Sequence, residues 1–383
     1  MLNPLLLGTA IPPIPEAQGW VSGYDGAAGP LLDLSQAVPG YPPPDVLLER
    51  LAQSAGQAAT AAYGAIFGDA VLREVYAAHV GAAYGAAVRV EEVAITTGCN
   101  QAFMVAMLAI VRAGEAVMLP TPWYFNHKMA LDMLGIRTVP LACNADQGFV
   151  PDVVAAEALI EPGLRAIVLV TPNNPTGAVY PPATIQAFAD LCRRRGLTLI
   201  LDETYRDFID DRPHQVFSDP TWSDTVISLY SFSKAYCIPG HRLGALTAGA
   251  RTLGQVAKIL DTLQICAPRV AQAPVAWAIE ALAGWRDANR REIQARAAAF
   301  RAAVQGQADW RISSVGAYFA FLRHGRTGAT STEVARDLVE RRGVLCLPGA
   351  YFGPNQEDHL RVAFANVESD RLALLSERLA DFG

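Results

Sequence analysis

The sequence predicts an α/β fold: a large domain on a mostly parallel seven-stranded sheet sandwiched by helices, joined to a smaller α+β domain. Three observations predict it. Short apolar runs alternate with longer segments of helical spacing, as in a doubly wound sheet. Several runs, AIVLV (166–170) and LTLIL (197–201) among them, are almost wholly apolar, as strands covered on both faces are. From about residue 286 the texture changes to a long amphipathic helix without Gly or Pro, followed by mixed short strands and helices.

Residues 1–45 are rich in Pro and Gly and read as an irregular arm that packs on the small domain or on a partner subunit. Helical spacing follows at 46–62 and 69–84. Seven apolar runs then mark the strands: Val93–Thr97, Ala116–Leu119, Thr138–Leu141, Ala166–Thr171, Thr198–Leu201, Val226–Tyr230 and Leu243–Thr247. Between them, 100–112, 124–134, 183–195 and 253–265 have helical spacing. The region 310–383 carries strands WRISS and YFAFLR and helices near 331–342 and 368–380. The expected division is an arm (1–45), a large domain (46–285) and a small domain (286–383), since 383 residues exceed one small core.

With 51% hydrophobic and 18% charged residues the chain is globular. The net charge of −6 and the lack of a basic stripe argue against nucleic acid as a partner. No apolar run of about eighteen residues is free of charges or breakers, so no membrane span is expected. The N-terminal apolar run has no basic segment before it and is broken by prolines, unlike a signal peptide. Six cysteines without a CxxC pair suggest reduced thiols in a cytoplasmic protein and no metal site.

Ser231-Phe232-Ser233-Lys234 sets one lysine beside two hydroxyls, and Arg242 follows eight residues later. A lysine so placed can hold an aldehyde cofactor as a Schiff base while serine and arginine hold a phosphate. Other polar residues fall at strand ends, where doubly wound sheets bind ligands. Gly98-Cys99-Asn100 follows VAITT and opens a helix whose free N–H groups suit a phosphate. Asn174 follows AIVLVTP, and Asp202 ends LTLIL. Singly, each has a plain reading as a turn or cap; together they converge on one sheet edge.

With TTGCNQA (96–102), TPWYFNH (121–127), TPNNPTG (171–177), DETY (202–205), SFSK (231–234), GHRLG (240–244), PGAYFG (348–353) and HLRVAFAN (359–366), the chain resembles the class I/II aminotransferases, fold-type I enzymes that use pyridoxal 5′-phosphate (PLP). The resemblance spans nearly the whole chain. It implies that Lys234 forms the Schiff base and shuttles a proton, with its pKa lowered by the site. It implies that Asp202 pairs with the pyridine nitrogen, which keeps the ring an electron sink. Asn174 and Tyr205 bond the phenolic oxygen, and Tyr124, rather than Trp123, stacks on the ring. Gly98, the amides of Cys99 and Asn100, Ser231 and Arg242 bind the phosphate. His127 backs Asp202, unless it is simply a packed histidine. Tyr63 reaches the phosphate of a neighbouring subunit in a homodimer with shared sites, unless it is a helix-end core residue. Arg361 binds the substrate carboxylate, and Gly40 brings the N-terminal backbone near the substrate.

The resemblance thus implies an amino-group transfer between an L-amino acid and a 2-oxo acid, with ping-pong kinetics. A decarboxylase, lyase or oxidase on the same scaffold is the nearest alternative, and a non-catalytic PLP-binding sensor a remote one. Arg269 either reads a second substrate carboxylate or forms a structural ion pair. Ser233 has no assigned role. Tyr24, Tyr41 and Tyr351 line an aromatic pocket or serve as ordinary packing.

Overall fold

The computed structural model of the chain describes residues 2–210 and 214–382. The first strand, β1 (Leu32–Asp33), belongs to the N-terminal segment. The next seven form one sheet: β2 (Val93–Thr96), β3 (Ala116–Thr121), β4 (Arg137–Ala142), β5 (Leu164–Val170), β6 (Thr198–Asp202), β7 (Val226–Ser231) and β8 (Gly244–Thr247). All seven expected strands exist, with ends within two residues of the sequence reading. Their order is β2-β8-β7-β6-β5-β3-β4. The block from β7 through β4 is parallel, whereas β8 runs antiparallel to both β2 and β7.

Both faces of this sheet are covered, which explains the nearly continuous apolar runs. Ile167, Leu169, Leu199 and Leu201 pack toward one layer of helices, with Tyr76, Val80 and Phe188. Val168, Ile200, Ile227 and Leu229 face the other, with Phe103, Met107 and Leu260. Helix Ala70–Tyr84 ends on Gly85 at φ 63° and Pro182–Arg195 ends on Gly196 at φ 64°, left-handed caps that glycine adopts without strain. Three arginines in the last turn of the second helix oppose its dipole favourably.

A third core joins residues from the N-terminal segment (Ala17, Trp20, Leu32, Leu34) to Ile293, Phe300, Phe321, Leu338 and Leu360. Here β9 (Trp310–Gly316), β10 (Phe319–His324), β12 (Leu347–Pro348) and β13 (His359–Val362) form a sheet in the order β12-β13-β10-β9. Strand β11 (Val344–Leu345) pairs in parallel with β1. Helix Ala283–Val304 is the long amphipathic helix and begins slightly before its expected start.

Three expectations need adjustment. The first 45 residues are not wholly irregular: they hold short helices Pro4–Gly8 and Pro13–Gly19 as well as β1. Each helix opens on proline, whose fixed φ suits the first helical position. The segment 46–62 splits into Asp45–Ala55 and Ala58–Ala61 around Gly56, and 368–380 splits into Ser369–Leu372 and Leu374–Leu379.

Candidate active site

The carboxyl ends of β5, β6 and β7 open onto a cavity of about 340 Å³. Register explains the convergence. Val170 stands beside Asp202, and Asp202 beside Leu229, so the segments leaving the three strands emerge at one level. The small sheet contributes Arg361, on β13, to the cavity lining.

Lys234 lines this cavity in the short helix Phe232–Ala235 that follows β7, and its Nζ donates to the Ala37 carbonyl. Burial first, then the charges of Arg242 and Arg361, lower its amine to about 8. Asp202 ends β6. Burial alone would raise its carboxyl, but a hydrogen bond and charge from His127 and two hydrogen bonds from Thr204 outweigh that and hold it below the ordinary carboxylate range. His127 Nε2 lies 3.2 Å from Asp202 Oδ2, while the Thr204 hydroxyl and amide donate to Oδ1 at 2.7 and 3.1 Å. His127 is buried, with its ring stacked on Phe103 at a centroid distance of 3.9 Å.

Helix Cys99–Ile110 points its amino end at the same cavity. Gly98 caps it at φ 79°, and a Cβ there would overlap the Arg242 guanidinium. A Cβ on Gly244, on neighbouring β8, would lie 2.9 Å from the Cys99 nitrogen. Glycine at both positions lets the helix start, β8 and Arg242 meet. Ser231 and Ser233 line the cavity, the Ser233 amide donates to Ser231 Oγ (3.3 Å), and Ser233 Oγ is buried without a partner. The Cys99 thiol is pushed well up by burial and by the charge of Asp202.

Arg361 is 1% exposed. Its Nη1 donates to Asn174 Oδ1 (3.1 Å), its Nη2 to the Ser35 carbonyl, and its Nε is buried without a partner. Phe319 and Phe352 lie 5.1 Å from its guanidinium. Burial lowers it to about 10, so it stays charged at neutral pH. Tyr205 and Tyr124 line the cavity, and Tyr124 accepts from Asn126 at 2.8 Å. Burial raises both phenols, Tyr124 to about 12. Trp123 is outside the lining and lies beside Gly353.

Other sequence candidates sit elsewhere. Gly40 is not in the lining; its neighbours Gln36, Ala37 and Val38 are. A side chain on Gly40 would strike Arg296 and the Asn366 backbone rather than the cavity. Tyr63 is 78% exposed, so it is no helix-end core residue within this chain. Arg269 forms an ion pair with Asp69 (3.1 Å) and also donates to the Ala59 and Ala62 carbonyls, the structural alternative for that residue. The Tyr24 hydroxyl donates to the Gly29 carbonyl, Tyr41 packs edge-on to Trp285, and Tyr351 lies at a separate groove beside Trp123, so none of the three lines the cavity. Sequence reasoning missed Thr204, whose signal is a hydroxyl two residues after the strand-end aspartate. It also missed Ile14, Phe125 and Asn126.

The chain is similar to known proteins over nearly its whole length. A family model, aminotransferase class I and II, matches residues 29–379. The chain is 25% identical to the aromatic aminotransferase ISS1 of Arabidopsis thaliana, covering 99% of this chain and 95% of that one. It is 30% identical to a valine–pyruvate aminotransferase of Mycobacterium tuberculosis, over 71% and 70% of the two chains. It shares its fold with a single mutant of the Thermus thermophilus aspartate aminotransferase, at TM-score 0.92 and 21% identity over 100% of both chains. Fold and site define a PLP-dependent enzyme of the aspartate aminotransferase-like architecture. The chain belongs to the class I and II aminotransferases and is a transaminase.

The residues present fit PLP. A buried, unpartnered Ser233 hydroxyl and a glycine-lined helix start stand beside Arg242, and an ionised buried carboxylate and a low-pKa lysine share the same cavity.

Proposed function

We propose that Lys234 carries PLP covalently and that the cavity at the ends of β5, β6 and β7 is the transamination site. The observation that carries this reading is the lysine amine, lowered to about 8, in one cavity with a carboxylate held ionised against its own burial. Bound there, PLP supplies an aldehyde for the amino group and a ring that withdraws electrons from the substrate's α carbon.

The chain's own residues do the rest. Lys234 Nζ, neutral in a substantial fraction near pH 8, takes and returns the proton at the α carbon. Asp202 would set its negative charge against the ring nitrogen, and the hydrogen bonds from His127 and Thr204 fix the carboxylate's orientation. Asn174 and Tyr205 would hold the cofactor's phenolic oxygen, and Tyr124 would cover its ring. The Cys99 and Asn100 amides, Gly98, Ser231 and Arg242 would hold its phosphate. Arg361 takes the substrate carboxylate with its planar fork, exchanging its contacts to Asn174 and Ser35 for the ligand. Gly40 acts indirectly, by letting the chain pass Arg296 so that residues 36–38 reach the cavity.

In this reading the chain divides at 45 and 285 into arm, large and small domains. It works as a cytoplasmic homodimer in which Tyr63 of each copy completes the other copy's phosphate site; the exposure of Tyr63 supports that part. Relatives named for aromatic amino acids and for valine with pyruvate differ in donor. A donor panel against pyruvate and 2-oxoglutarate therefore serves as the assay. Lys234→Ala is expected to abolish turnover with every donor that the wild type uses, together with the absorbance of covalently held cofactor. Transamination at wild-type rates by that variant would refute the assignment.

A further inference from the structure

The loop that leaves β6 faces two ways. Asp202, Thr204 and Tyr205 line the cavity, whereas Glu203 and Arg206 are buried on the far side. Glu203 is 0% exposed, and both of its oxygens are used. Oε1 accepts from the Tyr84 hydroxyl and from His214 Nε2 at 3.0 Å, and Oε2 accepts from Ser228 Oγ at 2.8 Å. The His214 tautomer is set by its other nitrogen, which accepts from the Val216 amide (3.3 Å), so Nε2 carries the proton. Arg206 lies over the Tyr230 ring at 4.0 Å with Tyr84 3.5 Å from its Nη1. Burial opposes the charge of Glu203, but His214, Arg206 and Tyr84 together hold its carboxyl below the usual range.

One carboxylate thus ties together the end of helix Ala70–Tyr84, strand β7, the segment at 214 and the loop after β6. Ser228 stands six residues before Lys234 on the same strand-to-helix run, and Glu203 is bonded directly to Asp202 in the chain. A buried ionic cluster is a costly way to fill a sheet face that apolar side chains would fill well; what it adds is one fixed geometry. We propose that Glu203, together with Tyr84 and Ser228, is a positioning element for the reaction: it holds Asp202 and Lys234 in register by pinning the end of β6 to β7. This rests on the reading of Lys234 and Asp202 given above.

The test uses the holoenzyme and three variants. Tyr84→Phe and Ser228→Ala each remove one donor, and Glu203→Gln removes the charge. Phe300→Leu, in the core of the small sheet, serves as a destabilised control. Three quantities are read: the pH midpoint of the bound cofactor's absorbance, kcat against KM for the amino donor, and Tm. Tyr84→Phe is expected to lower kcat about 5-fold with donor KM within about 2-fold, and to move the midpoint by about half a pH unit. Glu203→Gln should do more, and Phe300→Leu should lower Tm while leaving the midpoint in place. If Tyr84→Phe and Ser228→Ala lower Tm as the control does but keep the wild-type midpoint and kcat, the network is merely structural and the proposal falls. Those two variants decide the matter even if Glu203→Gln does not fold. A wild type without bound-cofactor absorbance would instead overturn the reading of Lys234, and this proposal with it.

Discussion

At the scale of single residues, the informative quantity is the charge of Lys234. An amine of pKa about 8 is about one quarter neutral at pH 7.5, whereas an ordinary lysine is about one thousandth neutral. Only the neutral form attacks an aldehyde. The rate at which cofactor-free protein captures added PLP should therefore rise with pH and level off above about 8, as followed by stopped-flow absorbance. A rate still climbing steeply at pH 10 would contradict it. The same shift carries a stability consequence. Between about 8 and 10.5 the unfolded chain keeps a proton on this lysine that the folded chain has lost, so the cofactor-free protein gains stability as pH rises through that window. Below pH 8 the folded protein bears the cost of a charged, buried amine. Lys234→Met should then raise Tm at pH 7, with an advantage that shrinks toward pH 10.5.

At the scale of elements, the positions that a backbone must reach matter more than side-chain chemistry. Gly177 closes the TPNNPTG loop at φ 74°, and a Cβ there would collide with backbone atoms of Phe319 and Gly316 at the β9–β10 turn. Backbone cannot swing aside as a flexible side chain can. Gly177→Ala should destabilise by at least about 2 kcal/mol and also reduce turnover, because the loop that moves carries Asn174. Equilibrium denaturation and the transamination assay measure the two effects, and an unchanged denaturation midpoint would sink the argument. The same contrast explains what was legible in the sequence. Strands buried on both faces announce themselves as apolar runs, so all seven strands of the main sheet could be read, along with Lys234, Asp202 and Asn174 at their ends. The antiparallel course of β8 could not, since a covered strand reads alike in either direction. The helices of the first 45 residues were hidden because they are short and carry no apolar periodicity: Pro4–Gly8 rests on helix Phe125–Met133, and Pro13–Gly19 packs toward β12. The Glu203 cluster was hidden for a related reason: Tyr84, Glu203, His214 and Ser228 meet only in the fold, and an acid beside Asp202 reads as an ordinary turn residue.

At the scale of the whole molecule, the proposed homodimer requires each copy to serve the other copy's site. Arg242 is exposed, and Tyr63 projects into solvent on residues between two helices. In a two-fold dimer each surface meets its own counterpart, so a residue given to the partner's site is also received from it. Subunit mixing tests that exchange directly. Take Lys234→Ala and Tyr63→Ala, each depressed in activity, and refold them together in equal amounts. If Tyr63 serves its own chain, every site in the mixture carries one lesion or the other, and activity equals the mean of the parents. If Tyr63 serves the partner, a mixed dimer concentrates both lesions in one site and leaves the other intact. Random pairing makes half the dimers mixed, so fully intact sites amount to about one quarter of the total. Activity should then exceed the parental mean by about a quarter of the wild-type rate less what the Tyr63→Ala sites lose by pairing. Size-exclusion chromatography must show a dimer for either result to be read, and a monomeric active enzyme would remove the partner's Tyr63 from the mechanism altogether.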